Sequence, residues 1–186
     1  VPGLLQSAGG EAAKLAAEVG FVEAVYNVSQ GDPLYLHFLV QDVRDGEIDR
    51  DNIGDQPKDL DDYLAKWWQQ LAHDIGAGPL ATVLGILSVS RGRLRPQDFG
   101  DISPGLGQSL LFEDFRLLRY LTGDADRGYT IAHPRFRQYL TDKGFKPYEV
   151  EQYRKKVLDY CRRWQQNGSA YAMAHYAWHL ADAVRR

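Results

Sequence analysis

The chain has 186 residues, 44% hydrophobic and 25% charged, the balance of a soluble globular protein of one large domain or two small ones. Its formal charge is -3, its pI about 5.9 and its mean hydropathy -0.43. These values exclude wholesale disorder, an apolar run of roughly 20 residues that could span a membrane, and a globally basic nucleic-acid binder.

The N-terminal third is predicted helical. Gly9-Gly10 precede EAAKLAAEV, rich in strong helix formers, and Gly20 is expected to break that helix. FVEAVYNVS follows, with Phe21, Val22, Val25 and Val28 at helical spacing. In Gly31-Asp32-Pro33, Asp32 can cap the next helix and Pro33 suits its first position, where an N–H would be unpaired anyway. LYLHFLVQDV is that helix, and Gly46 stops it. Residues 46–60 are polar, rich in Asp and Gly, and read as a surface loop. Asp59 or Asp61 can cap DDYLAKWWQQLAHDI, whose apolar stripe is Tyr63, Leu64, Trp67, Trp68 and Leu71. Gly76, Gly78 and Pro79 end it and mark the expected subdomain boundary.

LATVLGILSVSR reads as a compact apolar helix ending at Arg91-Gly92, and Pro96 opens a short one, PQDFGDI. SLLFEDFRLLRYL reads as a third, with Leu110, Leu111, Phe115, Leu118 and Leu121 inward. GDADRG between YLT and YTIAH is a hairpin signal. Pro134 starts a closing helix, PRFRQYL. Three short helices, a hairpin and a closing helix describe a winged-helix unit. YEVEQYRKKVLDYCRRWQ and SAYAMAHYAWHLADAV read as a helix pair, the second with Tyr171, Ala174, His175, Trp178 and Leu180 on its apolar face. A lone helical hairpin buries too little, so the pair reads as a linker or the first of a repeat array. The expected fold is therefore mainly α: a helical bundle over 1–78, a winged-helix domain over 79–146 with a small β-hairpin, and a helical linker or first repeat over 147–186.

Charge is uneven. Residues 1–78 hold five basic against 14 acidic residues, and 79–186 hold 17 against 11, balances of -9 and +6. Such asymmetry fits two mutually attracting domains, or a basic half that meets a polyanion. The start at Val1 is expected to mark a piece of a longer protein. No signal peptide is visible, so a cytoplasmic location is expected, and Asn27-Val28-Ser29 and Asn167-Gly168-Ser169 carry no glycosylation reading without one.

Chemical motifs are sparse. There is no phosphate-binding loop, and Gly105-Leu106-Gly107 reads as a turn. His175 and His179 stand one helical turn apart, as metal ligands or as core histidines, and Tyr176 occupies the place of a metalloprotease glutamate. Cys161, the single cysteine, excludes an internal disulfide and carries no local nucleophile signature; Ser88 and Ser90 lack an elbow motif. For DNA, the third helix offers Glu113 and Asp114 beside Arg116 and Arg119, and the wing tip is Asp124-Ala125-Asp126-Arg127, a mixed surface that disfavours phosphates. Arg154-Lys155-Lys156 with Arg162-Arg163 is the more basic stretch, readable as a solvated helix face. His133, between the second wing strand and the Pro134 helix, reads either as a capping or core histidine or as a donor to a phosphate oxygen.

In order and spacing, the segments GDPLYLHFLV, LDDYLAKWW, ATVLGILSVSRGRL, YTIAHPRFRQYL and AHYAWHLADA resemble the lid helices, winged helix and helical linker of STAND-type signalling NTPases, the class that includes NACHT and NB-ARC proteins. The resemblance covers nearly the whole chain. It implies that Pro33 sits against the adenine of a bound nucleotide and that His133 reaches the β-phosphate of ADP, holding a closed resting state. The family's His-Asp ending is replaced here by His133-Pro134. The P-loop, Mg-binding acids and sensor arginine of the family would lie upstream. The implied whole is an ATPase that binds ATP or ADP with Mg; this piece would perform no catalysis and retain no nucleotide alone. Its partners would be its own upstream NTPase core, further copies of the full-length protein on activation, and a protein bound through C-terminal repeats, in signalling or defence. The competing readings are a protein-interaction scaffold of helical repeats and a winged-helix DNA-binding regulator.

Overall fold

The computed structural model describes residues 1–75, 77–106 and 115–186, which form a mainly helical protein with one two-stranded antiparallel sheet. The chain divides into two compact units, Val1–Trp68 and Gln69–Arg186. The division falls within a helix, upstream of the Gly76–Pro79 punctuation, and residues 147–186 belong to the same unit as the winged helix.

The first unit contains α1 (Pro2–Ala8), α2 (Gly10–Leu15), α3 (Val19–Ser29), α4 (Pro33–Arg44) and the start of α5 (Leu60–Ile75). The break expected at Gly20 comes earlier. Residues 16–18 make the turn, Glu18 is extended, and Gly20 lies in the first turn of α3. α3 ends on Gln30 and Gly31, both with positive φ (50° and 74°). Asp32 then caps α4, its Oδ1 accepting from Leu34 N–H (3.0 Å) and Tyr35 N–H (3.1 Å), with Pro33 at the first helical position. Of the two cap options for α5, Asp59 is the one used: its Oδ1 accepts from Asp62 N–H at 2.9 Å. The core is aromatic. Tyr63 stacks on Phe38 (ring centroids 5.8 Å) and tilts against Tyr35 (5.0 Å), while its hydroxyl donates to the buried Asp42 carboxylate at 2.7 Å. The 46–60 segment is more than a surface loop, because Ile48 and Ile53 anchor it in the interior.

The second unit begins with the end of α5 and continues through α6 (Ala77–Val89), α7 (Pro96–Ile102), α8 (Phe115–Leu118), β1 (Leu121–Asp124), β2 (Gly128–Ile131) and α9 (Pro134–Tyr139). A π-helical turn (Leu140–Gly144) leads to α10 (Pro147–Arg162), α11 (Trp164–Asn167) and α12 (Ala170–Arg185). The expected third helix falls partly on 107–114, outside the described residues; the chain is helical from Phe115 to Leu118. β1 and β2 pair in the register Leu121↔Ile131, Thr122↔Thr130, Gly123↔Tyr129 and Asp124↔Gly128. Leu94 adds a third, single-residue strand by bridging Tyr129. Gly128 is needed at that crossing: its φ is +86°, and a Cβ would lie 2.7 Å from the Leu94 carbonyl. α6 crosses α10 at Gly85, where a Cβ would meet the Tyr153 ring at 2.2 Å. α6, the Leu94 bridge, α7, α8, the hairpin and α9 follow in the winged-helix order. No helix among the described residues is long and apolar enough to cross a membrane.

The apolar face expected on α12 is rotated. Tyr171, Ala172 and His179 are buried, whereas Trp178 and Leu180 are 37% and 38% exposed and Ala174 is exposed. The helix turns its ring-bearing 171/175/179 row inward because that row, and not the more aliphatic one, fits the turn at Arg91-Gly92 described below.

Candidate functional site

His133 is placed by the end of the wing. Ala132 N–H donates to the Tyr120 carbonyl at 2.9 Å, which fixes where the chain leaves the sheet. His133 is then extended (φ -131°, ψ 135°) and Pro134 opens α9. The ring Nδ1 accepts from Arg135 N–H at 3.2 Å, so His133 is the N-cap of α9. The capping reading of this residue is therefore correct. It carries a chemical consequence: an accepting Nδ1 in a neutral imidazole leaves the proton on Nε2. The half-buried ring holds one N–H donor in a fixed orientation.

Pro33 lies in the first unit, exposed at the start of α4, on the tight turn made by Gln30, Gly31 and the Asp32 cap. Gln30 braces this turn, its side-chain amide donating to the Lys58 carbonyl at 2.8 Å. Pro33 is thus the first residue of a capped helix in one unit, and His133 is the cap of a helix in the other.

Sequence reasoning missed Arg137. It follows His133 by four residues, one helical turn along the same side of α9. Its guanidinium donates to the carbonyls of Ser88 (3.4 Å) and Ser90 and to Thr130 Oγ1 (3.1 Å). The Ser88 carbonyl is in the last turn of α6 and the Ser90 carbonyl follows it, so a cation closes the negative end of that helix and ties it to β2. Burial, with the nearby Arg91 charge, pushes Arg137 below the usual arginine range. The i, i+4 spacing with His133 was the one sequence signal for it.

The Arg91-Gly92 turn seats on α12. Arg91 N–H donates to the Tyr171 hydroxyl (3.1 Å), which shares a hydrogen bond with His179 Nε2 (2.7 Å). His175 lies against Gly92, where a Cβ would stand 2.7 Å from its Nε2. The Arg91 guanidinium covers Trp178 at 4.1 Å from the ring centroid. Burial first, then the His175 and arginine charges, hold His179 down at about 4, and Tyr171 is pushed up to about 12 by burial. The two histidines are packing groups. Among the described residues no cluster of three His, Cys, Asp or Glu side chains could hold a metal.

A second buried network centres on Asp98. One carboxylate oxygen accepts from Arg95 N–H (2.7 Å); the other accepts from Tyr160 OH (2.6 Å) and Ser169 Oγ (3.3 Å). Ser169 in turn caps α12 by accepting from Ala172 N–H at 3.2 Å. One carboxylate thereby joins the starts of α7 and α12 to the end of α10.

The remaining candidates have structural roles. Cys161 is buried and pushed up to about 12 by burial and the Asp98 charge, so it remains a thiol. Ser88 and Ser90 bond back to the Gly85 and Ile86 carbonyls within α6. Arg154 pairs with Glu151 (2.6 Å), Arg162 with Asp159 (2.9 Å), and Arg163 reaches the Asp101 carbonyl (3.3 Å), so the α10 basic stretch is largely engaged. Glu113 and Asp114 lie outside the described residues, and so does Gly107 of the Gly-Leu-Gly turn. Compared with known proteins, the chain matches no family model, no curated protein and no solved structure.

Proposed function

We propose that this chain is the regulatory lid and winged-helix part of a STAND-type signalling ATPase, closing over an adenine nucleotide held by a P-loop core elsewhere in a longer protein. The observation that carries the reading is the His133 cap. Its Nδ1 is occupied by Arg135 N–H, so its Nε2–H is committed to donating, the chemistry a phosphate oxygen requires. Pro33, exposed and rigid on a capped helix start, offers a flat apolar surface suited to the adenine. Mg and the catalytic groups would belong to the core, and this part would gate the nucleotide state without catalysing anything.

The gating is a population shift between closed and open forms. The Asp98 network and the Arg91–Tyr171 contact tie the C-terminal helices to the winged helix, which supports their moving as one rigid body. A protein or ligand bound by C-terminal repeats would thereby reach the His133 contact, and opened subunits would oligomerise in the cytoplasm for signalling or defence. In the full-length protein, His133→Ala is expected to lower the ADP that co-purifies and to raise the oligomer fraction. Unchanged ADP retention would defeat the proposal.

A further inference from the structure

We infer that α12 is a self-association face, whose outer stripe packs antiparallel on the same stripe of a second copy of this chain. The inference goes beyond the nucleotide reading and needs neither a core nor a nucleotide.

The stripe is set by the way α12 is docked. Its polar rings turn inward: Tyr171 accepts from Arg91 N–H and shares a hydrogen bond with His179. Ser169 caps the helix start from within the Asp98 network. At 3.6 residues per turn this leaves an outer stripe centred on Ala177, on the opposite side of the helix. Met173, Leu180 and Val184 lie on it and are 64%, 38% and 80% exposed. The other positions within about 60° of its centre are Ala170, Ala174, Ala177 and Ala181, and all four are exposed. No charge and no amide side chain interrupts the stripe. A surface helix of a lone subunit has the reverse arrangement, with its apolar row in and its polar row out. The other exposed large hydrophobics, Leu4, Tyr26 and Tyr148, stand one to a helix, which is ordinary for a surface.

The chemistry of the stripe selects its occupant. A partner that set a charge or an amide on it would bury that group without a hydrogen bond. A like stripe brings none, and among the described residues α12 is the helix that displays one. An isologous pair uses one such patch twice. From Ala170 to Val184 the stripe is about 21 Å long at 1.5 Å per residue. Two copies, with their flanks, remove roughly 1,000 Å² from water, the lower limit of a stable interface, which fits a dimer of micromolar affinity. The alanines let the helix axes approach to about 8 Å, so Met173, Leu180 and Val184 can reach across. Charge then sets the orientation. Asp182 and Arg186 pair with each other, and a parallel pair would set the two Arg185 side chains side by side. The antiparallel pair puts them at opposite ends and aligns the helix dipoles head to tail.

The test is sedimentation equilibrium of the 186-residue chain over a micromolar dilution series, where a monomer–dimer equilibrium is expected. Ala177→Glu sets two carboxylates against each other at the two-fold and is expected to weaken the dimer at least about a hundredfold. Circular dichroism and the thermal midpoint should match the parent at concentrations where both are monomeric. Arg127→Gln, at the wing tip, should leave the dimer as it was. A chain that stays monomeric throughout, or a dimer that Ala177→Glu leaves intact, overturns the proposal. Thiol cross-linking decides the matter independently, including the case in which Ala177→Glu unfolds the helix. Cys161 is buried and stays silent. About a two-fold at Ala177, position 173 of one copy is level with position 181 of the other, and the two 173 positions are about 12 Å apart along the axis. Met173→Cys mixed with Ala181→Cys is expected to cross-link through a short bifunctional reagent, and Met173→Cys alone is not. Efficient cross-linking of Met173→Cys to itself overturns the antiparallel pair, and no cross-link in the mixed sample overturns the dimer.

Discussion

The two units solve the same packing problem by different means. In Val1–Trp68 an aromatic group, Tyr35, Phe38 and Tyr63, fills the interior, and the buried Asp42 is joined to it by a hydroxyl contact from Tyr63. In Gln69–Arg186, buried polar networks join elements far apart in sequence: Asp98 to Tyr160 and Ser169, and Arg91 to Tyr171 and His179. Apolar contacts tolerate slippage, whereas a hydrogen-bonded network is satisfied in one register. The unit that carries the wing and His133 fixes its register this way over longer separations, 62 and 80 positions against 21 for Tyr63 and Asp42.

The largest effect should come from removing the Asp98 carboxylate. Asp98→Ala strands the Tyr160 hydroxyl, the Ser169 hydroxyl and the Arg95 N–H in a buried site, a cost of about 4 kcal/mol. Amide exchange should accelerate throughout 79–186 and leave α3 and α4 protected. Equal acceleration in both units would erase the contrast between them.

Next comes acid. Burial, with the His175, Arg91 and Arg186 charges, holds His179 down at about 4, below the ordinary histidine value of about 6.5. Between those values the unfolded chain binds more protons than the folded one, so stability falls as pH drops from about 6.5 towards 4. The loss should approach about 3 kcal/mol near the lower end. His179 faces Tyr171, His175, Arg91, Asp182 and Arg186, and of these only Asp182 favours its protonated form. His179→Gln keeps an acceptor for Tyr171 and removes the titration, so the urea midpoint should lose most of its slope across that range. An unchanged slope would assign the acid sensitivity to other groups.

Much of the fold was legible because it is written locally. Asp32-Pro33 and His133-Pro134 announce helix starts, and the GDADRG cluster announces the hairpin. What was not legible depends on partners distant in the chain. The Leu94 bridge is one residue long and leaves no alternation to read. Asp98 looks like an ordinary first-turn acid until Tyr160, 62 positions away, donates to it. The rotated face of α12 follows from the Arg91-Gly92 turn, 80 positions from Tyr171, and helical periodicity alone favoured Leu180 and Ala174 over His179. At the candidate site, position and cap were readable for His133, but Arg137 acquires meaning only from the end of α6 and from Thr130.

The smallest effect isolates the first unit. Tyr63→Phe removes one hydroxyl and keeps the ring stacked on Phe38, so the aromatic packing survives. The loss is one hydrogen bond to a charged group, about 1 kcal/mol, because Asp42 is 7% exposed and has other interactions. The effect should appear as faster amide exchange in α4 and the first turns of α5. If it instead matched Asp98→Ala, the Asp42 contact would be as central to its unit as Asp98 is to the other, and burial of rings would no longer explain why the first unit holds together.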